Sequence, residues 1–121
     1  MKNYQTLEVW TSSIKMIKMI YKETTKFPKE ELYGLTSQIR RAAVSVAANF
    51  AEAHGRQYKK DSIHFLHISR GSICELEALL SVALEVEMIS TEDFAQISEV
   101  VEKTSRLLNG YINYMRNSTL R

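Results

Sequence analysis

The chain has 121 residues, 45% of them hydrophobic, a net charge of +2 and a single cysteine, Cys74. This length suits one domain with one core, and a lone cysteine excludes an intrachain disulfide. Residues 1–60 carry 11 basic and 5 acidic side chains, whereas residues 61–121 carry 5 basic and 9 acidic ones. This asymmetry favours either an anionic partner such as nucleic acid or complementary contacts within or between subunits.

Few residues of the sequence would interrupt helices, because it contains one proline, Pro28, and only four glycines. Such a composition favours an all-α chain over a strand-rich one. Charged residues, among them Glu8 and Lys15, are interspersed with the apolar positions of the first 20 residues. We therefore expect no signal peptide and no membrane-spanning segment, and a cytoplasmic location.

The first predicted helix covers residues 6–26. Its apolar positions recur in steps of three and four, as in the seam of a helical bundle: Leu7, Trp10, Ile14, Ile17, Tyr21 and Thr24. The outer face carries a lysine ridge, formed by Lys15, Lys18 and Lys22 and continued by Lys26 and Lys29. Such a row is the ordinary solvated face of a bundle helix, and it is also a candidate surface for nucleic-acid phosphates.

The second predicted helix covers residues 35–54 and is apolar on two sides. One face consists of Leu35, Ile39, Ala42, Val46, Phe50 and Ala53, and the other of Val44, Ala47, Ala48 and Ala51. A polar stripe that includes Gln38, Ser45, Asn49, Glu52 and Arg56 lies between them. Because a helix that is apolar on two sides is buried on both, we expect another subunit to cover the small-residue face. The candidate oligomer interface is Val44, Ala47, Ala48 and Ala51, with Asn49 and Glu52 making interhelical or intersubunit hydrogen bonds.

The third predicted helix covers residues 61–88 and the fourth covers 91–116. The apolar positions of the third are Ile63, Leu66, Ile73, Leu76, Leu80, Ala83 and Val86, and we expect Cys74 to pack as a core or boundary residue. Those of the fourth are Phe94, Ile97, Val101, Thr104, Leu108, Tyr111 and Met115. Ser90 is the predicted N-cap, with Asp93 three residues later, and residues 117–121 should fray. Four amphipathic helices joined by short turns predict one antiparallel up-down-up-down four-helix bundle over residues 1–121.

Basic residues around the second and third helices give the best candidate for a nucleic-acid-binding surface. They are Arg40, Arg41, Arg56, Lys59, Lys60 and Arg70, with Tyr33 and Tyr58 nearby. Arginine forks suit phosphate oxygens and tyrosines can stack on bases. The alternative is structural: Arg40 or Arg41 pairs with Glu31 or Glu52, and the two lysines are simply solvated.

Enzymatic and metal-binding functions find little support in the sequence. His64 and His67 could face one way on a helix, but the residue three before His64 is Asp61, a weak match to the carboxylate-histidine pairs of bundle metal sites. Glu52 could act as a general base, yet no nucleophile or second carboxylate lies at a matching spacing. No phosphate loop, dinucleotide fingerprint or nucleophile elbow is present. We therefore expect no catalytic residue, metal or cofactor.

Two segments carry a family resemblance: FPKEELYGLTSQIRRAAVSVAANFAEAHGR over residues 27–56 and FLHISRGSICELEALL over residues 65–80. They contain, in order, E-x-Y-G-L, Q-[IL]-R-R-A, N-[IF]-A-E and F-L-x-I-[AS]-R-G-S, and the chain thereby resembles the bacterial four-helix-bundle proteins encoded in intervening sequences of 23S ribosomal RNA. It departs from the family where Ala47 replaces a common proline, Ala53 a common glycine and Phe50 a usual isoleucine. These departures should alter local packing and leave the fold unchanged.

The resemblance implies a ring-like homopentamer, in agreement with the doubly apolar second helix. The accessory variability determinant of diversity-generating retroelements is similar in fold and assembly, and works with nucleic acid and a reverse transcriptase. By analogy, we expect a non-enzymatic homo-oligomer that binds RNA, DNA or a ribonucleoprotein. The alternative is a structural or adaptor ring that recruits a protein partner and binds no nucleic acid.

Overall fold

The computed structural model describes residues 3–118, and within that range the chain is all-α. The helices are α1 (Glu8–Thr24), α2 (Leu35–His54), α3 (Lys59–Glu85) and α4 (Thr91–Asn117), and short 3-10 turns occupy Asn3–Thr6 and Lys29–Glu31. α2 packs between α1 and α3, and α4 packs against α3 and α1. This arrangement confirms the predicted four-helix bundle. No helix formed by the described residues is long and apolar enough to cross a membrane.

Helix α4 begins at the predicted cap. The Ser90 hydroxyl accepts a hydrogen bond from the backbone N–H of Asp93 at 3.1 Å, which satisfies one of the N–H groups left free at a helix start. Glu92 and Asp93 place negative charge in the first turn, where the helix dipole favours it. The helix continues through Asn117, one residue beyond the prediction. The predicted fraying of the C-terminus falls mainly on residues 119–121, which lie outside the described residues.

Helix α3 ends at Glu85, three residues before the predicted end. The backbone N–H of Met88 donates to the carbonyl of Ala83 at 2.9 Å, and that of Glu87 donates to Leu84 at 3.0 Å. Glu87 has a φ of 61°, so this is a Schellman motif with glutamate in the left-handed position that usually holds glycine. The early stop turns the chain back onto the bundle and buries Ile89, which is 4% exposed.

The core is formed by large apolar side chains from all four helices, among them Met16, Ile20, Phe50, Leu76 and Leu108. The predicted seam of α1 was wrong in part, since of its six positions only Thr24 is buried. The buried face of this helix consists of Val9, Ser12, Ser13, Met16, Ile20, Glu23 and Thr24. Trp10 and Ile17 are only partly buried and Tyr21 is 42% exposed. Because α1 is apolar over a broad arc, its periodicity alone allowed two faces, and packing against both α2 and α4 selected the one with small hydroxyl side chains.

The buried faces of α2 and α3 meet through alanines and serines. The Ser62 hydroxyl donates to the carbonyl of Ala53 at 2.7 Å, and the Ser69 hydroxyl donates to the carbonyl of Val46 at 2.6 Å. A short serine side chain reaches the backbone of another helix only where the two helices approach closely, so these bonds fix the α2–α3 packing.

Two predictions for α3 were wrong. Val86 lies just after the helix and is 56% exposed. Cys74 is exposed rather than packed in the core or at its boundary, because it is one residue beyond the buried Ile73 and the helical step of about 100° turns it outward.

Candidate nucleic-acid interface

The structure does not bring the six predicted phosphate-contacting residues together on one surface. Arg40, on the first half of α2, packs against α1: its Nε donates to the hydroxyl of Thr24 at 2.8 Å, and its guanidinium lies 4.7 Å from the centre of the Tyr21 ring. These contacts give Arg40 a structural role. Arg41 is exposed and lines a cleft between α2 and α3 together with Glu75.

Arg56 and Lys59 lie at the connection between α2 and α3, and both contact other parts of the protein. Arg56 forms an ion pair with Glu52 one turn earlier, and its guanidinium lies 4.4 Å from the centre of the Phe65 ring. The ammonium of Lys59 donates to the backbone carbonyls of Arg116 and Ser118 at 3.0 and 2.5 Å. A lysine in this position satisfies the free carbonyls at the end of α4 and complements the negative end of its dipole.

Within the described chain, neither Arg40 nor Arg41 forms the predicted ion pair with Glu31 or Glu52; pairing across a subunit interface stays a prediction. Glu52 pairs with Arg56, because residues four apart are neighbours on a helix. The carboxylate of Glu31 instead accepts from the backbone N–H of Leu35 at 3.2 Å, at the start of α2.

Arg70 meets Arg116 across the boundary between α3 and α4, with His67 between them. A guanidinium nitrogen of Arg70 lies 2.8 Å from Nδ1 of His67, and one of Arg116 lies 3.1 Å from Nε2 of the same ring. Burial lowers the pKa of His67 below its ordinary value, and the charges of Arg70, Arg116 and His64 lower it further. The imidazole is therefore neutral at pH 7. Exposed Lys60 lies two turns before His67 on α3, so it shares the face of His67.

The lysine ridge lies on the α1–α4 side of the bundle. Lys15, Lys18 and Lys22 are exposed, and Lys15 lines a cleft with Lys103 of α4. Lys26 differs from these three because it forms ion pairs with Glu23 and Asp93, both at 3.4 Å. The candidate cations thus form two separate surfaces: the ridge between α1 and α4, and the group between α3 and α4.

The fold and these motifs can be compared with known proteins. The family model described as 23S rRNA-intervening sequence protein matches residues 5–110. The chain belongs to this family. Among solved structures it is similar to a protein of unknown function from the S23 ribosomal protein family of Bacteroides thetaiotaomicron VPI-5482, with 26% sequence identity and a TM-score of 0.77. The similarity covers 86% of this chain and 97% of that one. No curated protein matches the sequence.

In this 23S rRNA-intervening sequence protein, the predicted interface on α2 is narrower than expected. Ala47 is 4% exposed and packs inside the monomer, so its assignment to the oligomer interface was wrong. The reason is that α2 packs against both α1 and α3, so a larger part of its circumference is buried. Val44 is 41% exposed, Ala48 is exposed and Ala51 is half-buried. These three residues remain available to another subunit.

The polar stripe of α2 makes its contacts within one chain. The Asn49 amide donates to the carbonyl and the hydroxyl of Ser45, both at 2.9 Å, and the Ser45 and Ser72 hydroxyls lie 2.8 Å apart. The hydrogen bonds of Asn49 are therefore within α2, and Ser45 makes the contact that joins α2 to α3; an intersubunit role for Asn49 stays a prediction.

His54 and His67 of this family member lie in different surroundings. His54 lies 2.9 Å from both the carbonyl oxygen of Phe50 and the hydroxyl of Tyr111, whereas His67 contacts two arginines. Across residues 3–118, no group of three or more histidine, cysteine, aspartate or glutamate side chains is placed to hold a metal ion.

Sequence reasoning missed Arg116, the residue that completes the arginine pair around His67. Arg116 and Arg70 are on different helices and far apart in the sequence, so no spacing motif connects them. The sequence did contain one indication of this contact. A short turn makes the third and fourth helices antiparallel, and because they are of similar length, the last turn of α4 lies beside the first turns of α3.

Proposed function

We propose that this 23S rRNA-intervening sequence protein is a non-enzymatic homo-oligomer, pentameric by its family resemblance, that binds nucleic acid or a ribonucleoprotein through basic surface. One observation carries the proposal. Lys60, Arg70 and Arg116 form no ion pair with any carboxylate of residues 3–118. Unpaired cations on one side of a bundle are what contacts to a phosphate backbone require, since they can displace the counterions that surround nucleic acid.

The lysine ridge gives second, independent support. Lys15, Lys18 and Lys22 carry three further exposed charges without an ion pair among the described residues. In a ring of subunits these charges recur, so each weak phosphate contact would be multiplied.

Exposed apolar side chains on the α2–α3 pair support the assembly part of the proposal. Val44, Val82 and Val86 are 41%, 48% and 56% exposed, and Ala48 lies one turn from Val44. Exposed apolar residues one helical turn apart, such as Val44 and Ala48 on α2, mark surfaces that another protein covers. A second copy of the chain is the occupant that we propose.

An adaptor ring that recruits a protein partner is the second candidate function. A groove near the first turn of α2 favours it, because Leu35, Val82, Val86 and Met88 line this groove and Pro28 lies at its edge. Binding of nucleic acid separates the two functions, since the adaptor needs none.

The nucleic-acid proposal is tested by titrating a short labelled RNA and a DNA duplex at low and moderate salt. We expect binding that weakens steeply with salt, and a loss of about tenfold or more when Lys60→Glu and Arg70→Glu are combined. Arg106→Glu, a charge reversal at an exposed position of α4 that belongs to neither candidate surface, is the control and should have little effect. Equal affinity of the double variant and the control would remove this surface from the proposal.

The assembly is tested by light scattering on a size-exclusion column. We expect a pentamer-sized particle, and dissociation by Ala48→Glu with the helical content retained. Ala95→Glu places the same charge on an exposed position of α4 and should leave the particle intact. A monomeric wild-type protein would refute the assembly part of the proposal.

A further inference from the structure

The hydrogen bonds around His67 are incomplete in a specific way. A neutral imidazole has one N–H donor and one acceptor lone pair, whereas a guanidinium has donors only. Arg70 approaches Nδ1 and Arg116 approaches Nε2. Only one of these contacts can therefore be a hydrogen bond, because the other nitrogen carries a proton that faces another donor. The site has too many donors and lacks an acceptor.

The charged groups around the His67 ring are also unbalanced, because all of them are basic. The groups that lower the pKa of His67 besides burial are Arg70 and His64 on its own helix and Arg116 on α4, all of them basic. Lys59 adds a further cation near Arg116, because it binds the Arg116 carbonyl. No carboxylate among residues 3–118 forms an ion pair with either arginine. The two guanidinium groups therefore contact the two nitrogens of one imidazole, and neither is paired with a carboxylate of the described residues.

We propose that Arg70 and Arg116, with His67 between them, bind one phosphate group of the nucleic-acid partner. The two guanidinium groups contact the two nitrogens that flank Cε1, so an anion beside that edge lies between them and each flexible arginine side chain can turn toward it. Phosphate oxygens supply the missing acceptors, and arginine forks match their geometry. This inference rests on the proposed nucleic-acid binding and adds the residues and the chemical group that the contact uses.

Occupancy of the site couples binding to the protonation of His67. A bound anion offsets the positive charges of Arg70 and Arg116, which lower the pKa of His67 in the free protein, so the bound state favours the imidazolium. The pKa of His67, lowered in the free protein, must then rise on binding. By linkage, anion affinity increases as the pH falls through the range in which His67 takes up its proton.

The test uses sulfate as the probe, because it is a tetrahedral oxyanion whose charge does not change in this range. The His67 ring signals are followed by NMR through a pH titration, in sulfate and in chloride at the same ionic strength. We expect sulfate to raise the titration midpoint of His67, while His54, which contacts Phe50 and Tyr111 instead, serves as the internal control. The shift should disappear in Arg70→Gln and in Arg116→Gln. An unchanged His67 midpoint in the folded wild-type protein would overturn the proposal.

A short RNA provides the second arm, since its phosphodiesters do not titrate near neutrality. We expect wild-type affinity to be about tenfold higher near pH 6 than near pH 8, and this dependence to be lost in His67→Gln. If sulfate raises the His67 midpoint but the protein does not bind RNA, the anion site is supported and the nucleic-acid function is refuted. RNA binding that Arg70→Gln and Arg116→Gln do not weaken would refute the site alone.

Discussion

Besides the Ser45–Ser72 side-chain contact, the α2–α3 pair has interhelical hydroxyl bonds to backbone that the α1–α4 pair lacks among the described residues. Between α2 and α3, Ser62 and Ser69 donate to backbone carbonyls of the neighbouring helix, which requires the two helices to lie close together. Between α1 and α4, Ser12 and Thr104 contact each other through their side chains, 2.6 Å apart. A side-chain pair can shift or be replaced together, whereas a bond to backbone fixes the distance between helices. We therefore expect the α2–α3 pair to be the less tolerant half of the bundle.

The largest expected effect comes from enlarging a side chain in the α2–α3 packing. Ser69 is completely buried, so Ser69→Leu adds volume where the helices are closest and removes the bond to Val46. We expect a loss of about 3 kcal/mol in the free energy of unfolding, measured by chemical denaturation. Ser81→Leu makes the same change at an exposed position of α3 and should alter stability by less than about 0.5 kcal/mol. Equal losses in both variants would contradict the close packing.

Breaking the hydroxyl pair between α1 and α4 should lower the free energy of unfolding by less, and a second substitution should recover part of the loss. Thr104→Val keeps the shape of the side chain but leaves the buried Ser12 hydroxyl without this partner. We expect a loss of about 1–2 kcal/mol. Adding Ser12→Ala removes the unsatisfied group, so the double variant should be more stable than Thr104→Val alone. If the second change adds its own loss instead, the two pairs do not differ as proposed.

The comparison also shows which parts of this structure a sequence can predict. Helix boundaries depend on local signals such as the Ser90 cap, and most were predicted within two residues. The side of α1 that is buried and the burial of Ala47 depend on two neighbouring helices at once, so one helical period could not determine them. Among the candidate site residues, the roles of Arg40 and Lys59 depend on contacts with α1 and α4. Nothing local to either residue indicates those contacts.

The connection between the two pairs offers a stabilising change. Glu87 follows α3 with a positive φ of 61°, a conformation that costs a residue with a side chain roughly 1–2 kcal/mol. Glu87→Gly should therefore raise the free energy of unfolding by about 1 kcal/mol. Glu87→Ala removes the same charge but keeps the unfavourable conformation, so thermal unfolding of this control should show no such gain. A gain of equal size in both variants would point to charge rather than backbone conformation.

The smallest expected effect concerns Lys59, which joins the start of α3 to the end of α4 and so ties the two pairs together. Lys59→Gln removes a charged donor from the carbonyls of Arg116 and Ser118, and we expect a loss of about 0.5–1 kcal/mol with fraying of the last turn of α4. Lys60→Gln, the adjacent exposed lysine, is the matched control for stability. Hydrogen exchange of the amides in that turn should distinguish the two variants, since only Lys59 holds the end of the helix. The two variants also distinguish a structural role from a role in nucleic-acid binding. Nucleic-acid affinity should fall in Lys60→Gln without a change in exchange, whereas in Lys59→Gln a loss of affinity should follow only from the displacement of Arg116.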